Sequence, residues 1–127
     1  CQEGQIWEAV QTAVKYSLDN LIVFVDNNRL QIDGFCDEVM PLQDIEKKFE
    51  VFGFETKRID GHSMEEIVET LDIVTKTKNG KPKCIVADTI KGKGVSYMEN
   101  ICSWHGVAPN EKEYEQALEE LAGGLRS

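Results

Sequence analysis

The chain has 127 residues, enough for one domain with one buried core, and sets 14 Lys and Arg against 23 Asp and Glu for a formal net charge of −9. That balance excludes nucleic-acid binding through a general basic surface, so an anionic ligand would need a local site. No apolar run approaches the roughly 20 residues that span a bilayer, no secretory pattern is present, and the absence of any Cys-x-x-Cys pair excludes a zinc ribbon.

Reduced thiols in a cytoplasm are therefore expected for Cys1, Cys36, Cys84 and Cys102. The chain opens on Cys, so residues before Cys1 are expected in the natural protein.

In chain order, the spacing of Ile6, Val10, Ala13, Val14 and Ser17, widened by Trp7, predicts a helix over 4–17, with Glu3 at its start. Leu21-Ile22-Val23-Phe24-Val25 predicts a strand buried on both faces. It stops at Asp26-Asn27-Asn28, and the stretch to Pro41 reads as irregular, with a turn at Asp33-Gly34. Leu42, Ile45, Phe49 and Phe52 step along a second helix that Gly53 ends.

A strand is expected over 54–60. Ser63-Met64-Glu65-Glu66 is a capping-box signature for a helix burying Met64, Ile67, Leu71 and Val74. A third apolar strand is expected over 84–90, with Cys84 as a small core residue. A long loop over 95–109 follows, then a helix capped by Asn110 and Glu113 with Tyr114, Ala117, Leu118 and Leu121 inward and Gly123-Gly124 at its end. Helices alternating with strands predict an α/β domain around a small parallel sheet.

Asn27-Asn28, Asp60-Gly61-His62 and Lys91-Gly92-Lys93-Gly94 each follow a strand, which in a parallel sheet puts them on one rim, where open α/β sheets bind ligands. An Asn28 amide oxygen and a nearby main-chain carbonyl suit a hard divalent cation; alone, Asn-Asn reads first as a turn, its commoner use. Lys91 or Lys93 suits a phosphate. His105, in Ser103-Trp104-His105-Gly106, suits a phosphate or a proton transfer, or else a plain surface position. His62 reads as a turn residue. A nucleotide-binding fingerprint is absent: neither Gly-x-Gly-x-x-Gly nor a phosphate-loop Lys-Ser/Thr occurs.

Taken together, Gln2-Glu3-Gly4, Trp7-Glu8-Ala9, Leu18-Asp19-Asn20-Leu21-Ile22, the run from Asp26 to Gly34, Phe52-Gly53, Asp60-Gly61-His62, Lys91-Gly92-Lys93-Gly94 and Ser103-Trp104-His105-Gly106 resemble, in order and nearly end to end, the cofactor-binding domain of transketolase, specifically its later half. The resemblance implies a thiamine-diphosphate-binding fold over 1–127, an α/β partial parallel sheet with flanking helices, incomplete at its N-terminus. It implies thiamine diphosphate with Mg2+ or Ca2+, and two-carbon ketol transfer between sugar phosphates. Asn28 (side chain) and Leu30 (main-chain carbonyl) would ligate the metal, His105 would contact diphosphate and substrate, Lys91 the phosphate region, and Glu3 would be an interface carboxylate linking two active sites of an oligomer.

The family's Gly-Asp-Gly, its early substrate histidines and its separate pyrimidine-binding domain do not occur in this sequence. The resemblance thus implies a fragment or truncated subunit, inactive alone and completed by a pyrimidine-binding domain or subunit in a homo- or hetero-oligomer. The alternative is a non-catalytic remnant acting as a folding or interaction module. Deoxyxylulose-phosphate synthase and 2-oxo-acid dehydrogenase components are near relatives, but the Ser-Trp-His-Gly loop favours transketolase.

Overall fold

A computed structural model describes residues 1–124. They form two compact units, one of Cys1–Asn27 with Met40–Thr89, the other of Asn28–Val39 with the chain from Ile90 onward.

The first unit is a three-stranded parallel sheet of β1 (Ile22–Asn27), β4 (Glu55–Asp60) and β5 (Lys83–Asp88), in the order β1-β5-β4. The α/β class with a small parallel sheet and flanking helices is as the sequence implies. On one face, α1 (Gly4–Lys15) and α3 (Ile45–Phe52) bury Val10, Ala13, Ile45 and Phe49 against Val25, Cys84 and Val86. On the other, α4 (Met64–Lys76) packs Val74, Ile67 and Leu71 on Ile59, Ile85 and Ala87. Each fully buried aliphatic side chain contributes roughly 1.5–3 kcal/mol. Phe49 lies between Trp7 and Phe54, with ring centroids 5.4 and 5.3 Å away.

The strand buried on both faces is β5, whose residues Lys83 to Ala87 are all buried. The sequence assigned that place to β1, and the structure corrects it: β1 is an edge, only Val25 is buried, and Phe24 is 49% exposed because α4 covers β4 and β5 instead. An apolar run marks strand character but not position in the sheet. Lys83 enters the core because its ammonium donates to Asn79 Oδ1 at 2.9 Å and to the Lys81 carbonyl, with Glu55 at 3.9 Å.

Helix ends follow local chemistry. Ser63 Oγ accepts from Glu66 N (3.2 Å), and the Glu66 carboxylate accepts from Asp60 N (2.9 Å). Asp44, not Leu42, starts α3, accepting from Lys47 N, and Gly53 stops it at φ 107°. The first helix stops at Lys15, short of Ser17, and Met64 faces solvent at 69% exposure rather than the core.

In the second unit, the stretch read as irregular holds a small hairpin, β2 (Leu30–Gln31) with β3 (Gly34–Phe35), and a one-turn helix α2 (Cys36–Val39). The long loop contains a 3-10 turn, Cys102–His105. Tyr97 stacks at a tilt on Trp104 (5.3 Å), whose indole N–H donates to the Tyr97 carbonyl at 2.9 Å. The last helix, α5 (Glu111–Gly124), opens with the expected reciprocal cap: Glu113 N donates to Asn110 Oδ1 and Asn110 N to Glu113 Oε2, at 3.1 and 2.7 Å. Its expected inward residues Tyr114, Leu118 and Leu121 are about half exposed, at 54, 49 and 46%. The helix includes both Gly123 and Gly124, the latter the last described residue.

Candidate functional site

The parallel register puts Asn27, Asp88 and Asp60 side by side at the carboxyl rim of the first unit's sheet. Asn27 and Asp88 are cross-linked there, and Arg58 and Glu46 join them. Arg58 Nη1 donates to both Asp88 oxygens (2.8 and 3.0 Å), Arg58 Nε to Glu46 (2.6 Å) and Asn27 Nδ2 to Asp88 Oδ1 (2.5 Å). Those two carboxylates raise the Arg58 pKa, the Glu46 hydrogen bond foremost. Gly61 closes the rim: a Cβ there would stand 2.5 Å from Thr89 Cγ2 and 3.0 Å from the Asp88 carbonyl. His62 is exposed, and its backbone N–H donates to Asp60 Oδ1 at 2.8 Å, the turn role expected of it.

Asn28, one residue beyond β1, opens the second unit. Its Oδ1 accepts from Leu30 N at 2.9 Å, an Asx turn that fixes the amide at the mouth of the β2–β3 hairpin. The turn reading of Asn-Asn is the one observed, and it occupies one of the two lone pairs of the amide oxygen. The Cys36 N–H donates to the Arg29 carbonyl (2.8 Å), tying the far end of the hairpin back.

Lys91 lies in a turn built on two left-handed glycines, Gly92 at φ 74° and Gly94 at φ 94°. A Cβ on Gly92 would stand 2.6 Å from the Met98 carbonyl oxygen, so only glycine lets the loop return this closely. The Lys91 carbonyl accepts from Asn100 N at 3.0 Å, which pins the turn. His105, exposed, is the last residue of the 3-10 turn.

Within this unit Asn28, Leu30, Gln31, Ile32, Lys91 and His105 line one cavity of about 290 Å3. Four residues singled out from sequence thus meet in one place. Sequence reasoning missed Gln31 and Ile32, whose places on the cavity come from a hairpin with two-residue strands that leave no periodic signal. Glu3 belongs to the first unit, where it precedes α1, makes no cap hydrogen bond through its side chain, and accepts from Gln5 Nε2.

Among the described residues, no lining side chain of the cavity is acidic, although the chain as a whole carries a charge of −9. A lysine, a histidine and two amides present N–H donors, which suits a ligand rich in anionic oxygens. The same donor set offers a divalent ion only neutral oxygens, and no group of three His, Cys, Asp or Glu able to hold a metal occurs among the described residues. The residues therefore fit a diphosphate well. They fit a metal ion as far as two neutral ligands go, with the ligand's own oxygens supplying the charge.

A profile for "Transketolase, thiamine diphosphate binding domain" matches residues 1–124. Over 120 residues the chain is 42% identical to one subunit of an apulose-4-phosphate transketolase from Phocaeicola vulgatus, covering 94% of this chain and 42% of that one. It is 38% identical over 129 residues to human transketolase, covering 98% of this chain and 19% of that one. The chain thus spans less than half the length of these relatives. Among solved structures, transketolase from Campylobacter jejuni superposes with a TM-score of 0.87 at 33% identity, over 95% of this chain and 19% of that chain. The profile match, the relatives and the shared fold agree: the chain belongs to the transketolase family, in its thiamine diphosphate binding domain.

Proposed function

We propose that this chain is the diphosphate- and metal-holding part of a transketolase, a partial binding domain completed by a pyrimidine-binding domain or partner subunit. That assembly transfers a two-carbon ketol unit between sugar phosphates in the cytoplasm. The observation that carries the reading is the convergence of Asn28, Leu30, Lys91 and His105 on one cavity without carboxylates. The Phocaeicola vulgatus relative is itself named as one subunit of its transketolase, which supports a two-chain enzyme.

In this reading Asn28 Oδ1 and the Leu30 carbonyl hold Mg2+ or Ca2+. Lys91 neutralises diphosphate charge as a point cation. His105 donates to a diphosphate or substrate oxygen and holds the proton that a sugar hydroxyl gains or loses. Glu3 acts at the interface between protomers. Bound thiamine diphosphate supplies the nucleophilic carbon and the electron sink needed to break a carbon–carbon bond beside a carbonyl. Because no carboxylate among the described residues lines the cavity, metal affinity is modest and the isolated chain does not turn over. This favours, for the chain by itself, a binding rather than a catalytic role.

Titration calorimetry with thiamine diphosphate and Mg2+ tests the reading. Binding is expected with Mg2+ present, weakened about tenfold or more in His105→Ala and in Asn28→Ala. No heat for the wild-type chain at ligand concentrations on the order of 1 mM overturns it.

A further inference from the structure

Gln31 stands out in the cavity. It contributes lining surface, yet its Nε2 is shut off from solvent and has no hydrogen-bond partner among the described residues. A buried donor left unpaired is costly, and native structures rarely retain one without use. Its neighbours give it a direction: Asn28, Lys91 and His105, on the same cavity, all offer N–H donors, and no carboxylate competes for them.

We infer that Gln31 is an affinity-determining residue of this cavity, its side chain shifting on ligand entry so that the orphaned Nε2–H donates to an anionic oxygen of the ligand. The inference rests on the cavity being the diphosphate site and adds to it a donor outside the metal-and-histidine set. Binding then relieves a defect of the empty chain, so stability and affinity are opposed at this residue. An ordinary structural glutamine behaves the other way, since removing it weakens the fold and leaves the ligand alone.

The test compares wild type, Gln31→Met, which keeps length and shape without the donor, and Gln31→Glu, which keeps shape but replaces the donor with an anionic acceptor. Each is melted without ligand and titrated calorimetrically with thiamine diphosphate plus Mg2+. Gln31→Met is expected to melt about 2–4 °C higher than wild type and to bind about tenfold more weakly. Gln31→Glu is expected to bind more weakly still, by like-charge repulsion. Wild-type binding retained within twofold in both variants overturns the role of Gln31 and leaves the cavity assignment standing. So does a Gln31→Met that melts lower at unchanged affinity. Absence of wild-type binding overturns the cavity assignment and the role of Gln31 together.

Discussion

A thiol's surroundings decide what kind of reagent it is. Cys84, at 1% exposure, is packed in β5 between the helices of the first unit, and burial pushes its pKa up to about 12, with Glu46 adding a smaller push. Cys1 and Cys102 are half-buried, and no disulfide occupies any of the four cysteines. Iodoacetamide at about pH 8 is expected to label Cys1 and Cys102 and to spare Cys84 until denaturant is added, as read by mass spectrometry of the tryptic peptides. Gly92 gives a second expectation at this scale. Gly92→Ala forces a Cβ to within 2.6 Å of the Met98 carbonyl at φ 74°, so the turn carrying Lys91 must open. Diphosphate affinity should fall several-fold while the melting temperature drops by only a few degrees. What the sequence disclosed at this scale was chemical type: Asn28, Lys91 and His105 are the residues that hard cations and phosphates need. It could not disclose Gln31, because an orphaned donor is created by the packing around it and has no signature in the string Leu30-Gln31-Ile32.

At the scale of elements, the caps were legible because they are local. Ser63 with Glu66 and Asn110 with Glu113 satisfy orphan helix N–H groups within three residues of sequence. Ser63→Ala is expected to cost about 1 kcal/mol, seen as a lower urea midpoint at unchanged slope. Two features escaped notice for opposite reasons. The β2–β3 hairpin has strands of only two residues each, too short for any periodicity. The apolar side of α5 was read correctly as a stripe, but Tyr114, Leu118 and Leu121 remain about half exposed, since a stripe says which side wants cover and not whether cover is supplied. What ties α5 down in this unit is polar: Ser96 N and Oγ donate to the Glu120 carboxylate at 2.6 and 2.7 Å, and Tyr97 Oη donates to the Glu113 carbonyl.

For the molecule as a whole, two carboxylates contribute to the response of stability to acid. Asp44 is held below its ordinary value of 3.8, first by the Lys47 backbone N–H and then by the Lys47 ammonium. Glu120 is held below 4.5, first by Gln116 and then by Ser96. A carboxylate whose folded pKa is depressed contributes stability that is complete above its unfolded value and is lost as pH falls through the folded one. The urea midpoint should therefore be flat from about pH 6 to 5 and decline below about pH 4.5. Asp44→Asn and Glu120→Gln together should flatten that decline. The class of fold was legible at this scale, since alternating helices and strands leave few topologies. The order β1-β5-β4 was not, because parallel strands join through helices and sequence neighbours need not be sheet neighbours.

The two margins of that sheet are unlike. The β4 margin reads Glu-Thr-Lys-Arg-Ile-Asp, with charged side chains that discourage a further strand; the β1 margin reads Ile-Val-Phe-Val before its first polar residue, with Phe24 half in water. A further strand is therefore favoured beside β1 over β4. Crowding copies of the bare chain should produce lateral accretion that Phe24→Lys abolishes in light scattering and that a lysine-to-alanine change at Lys57 leaves as it was.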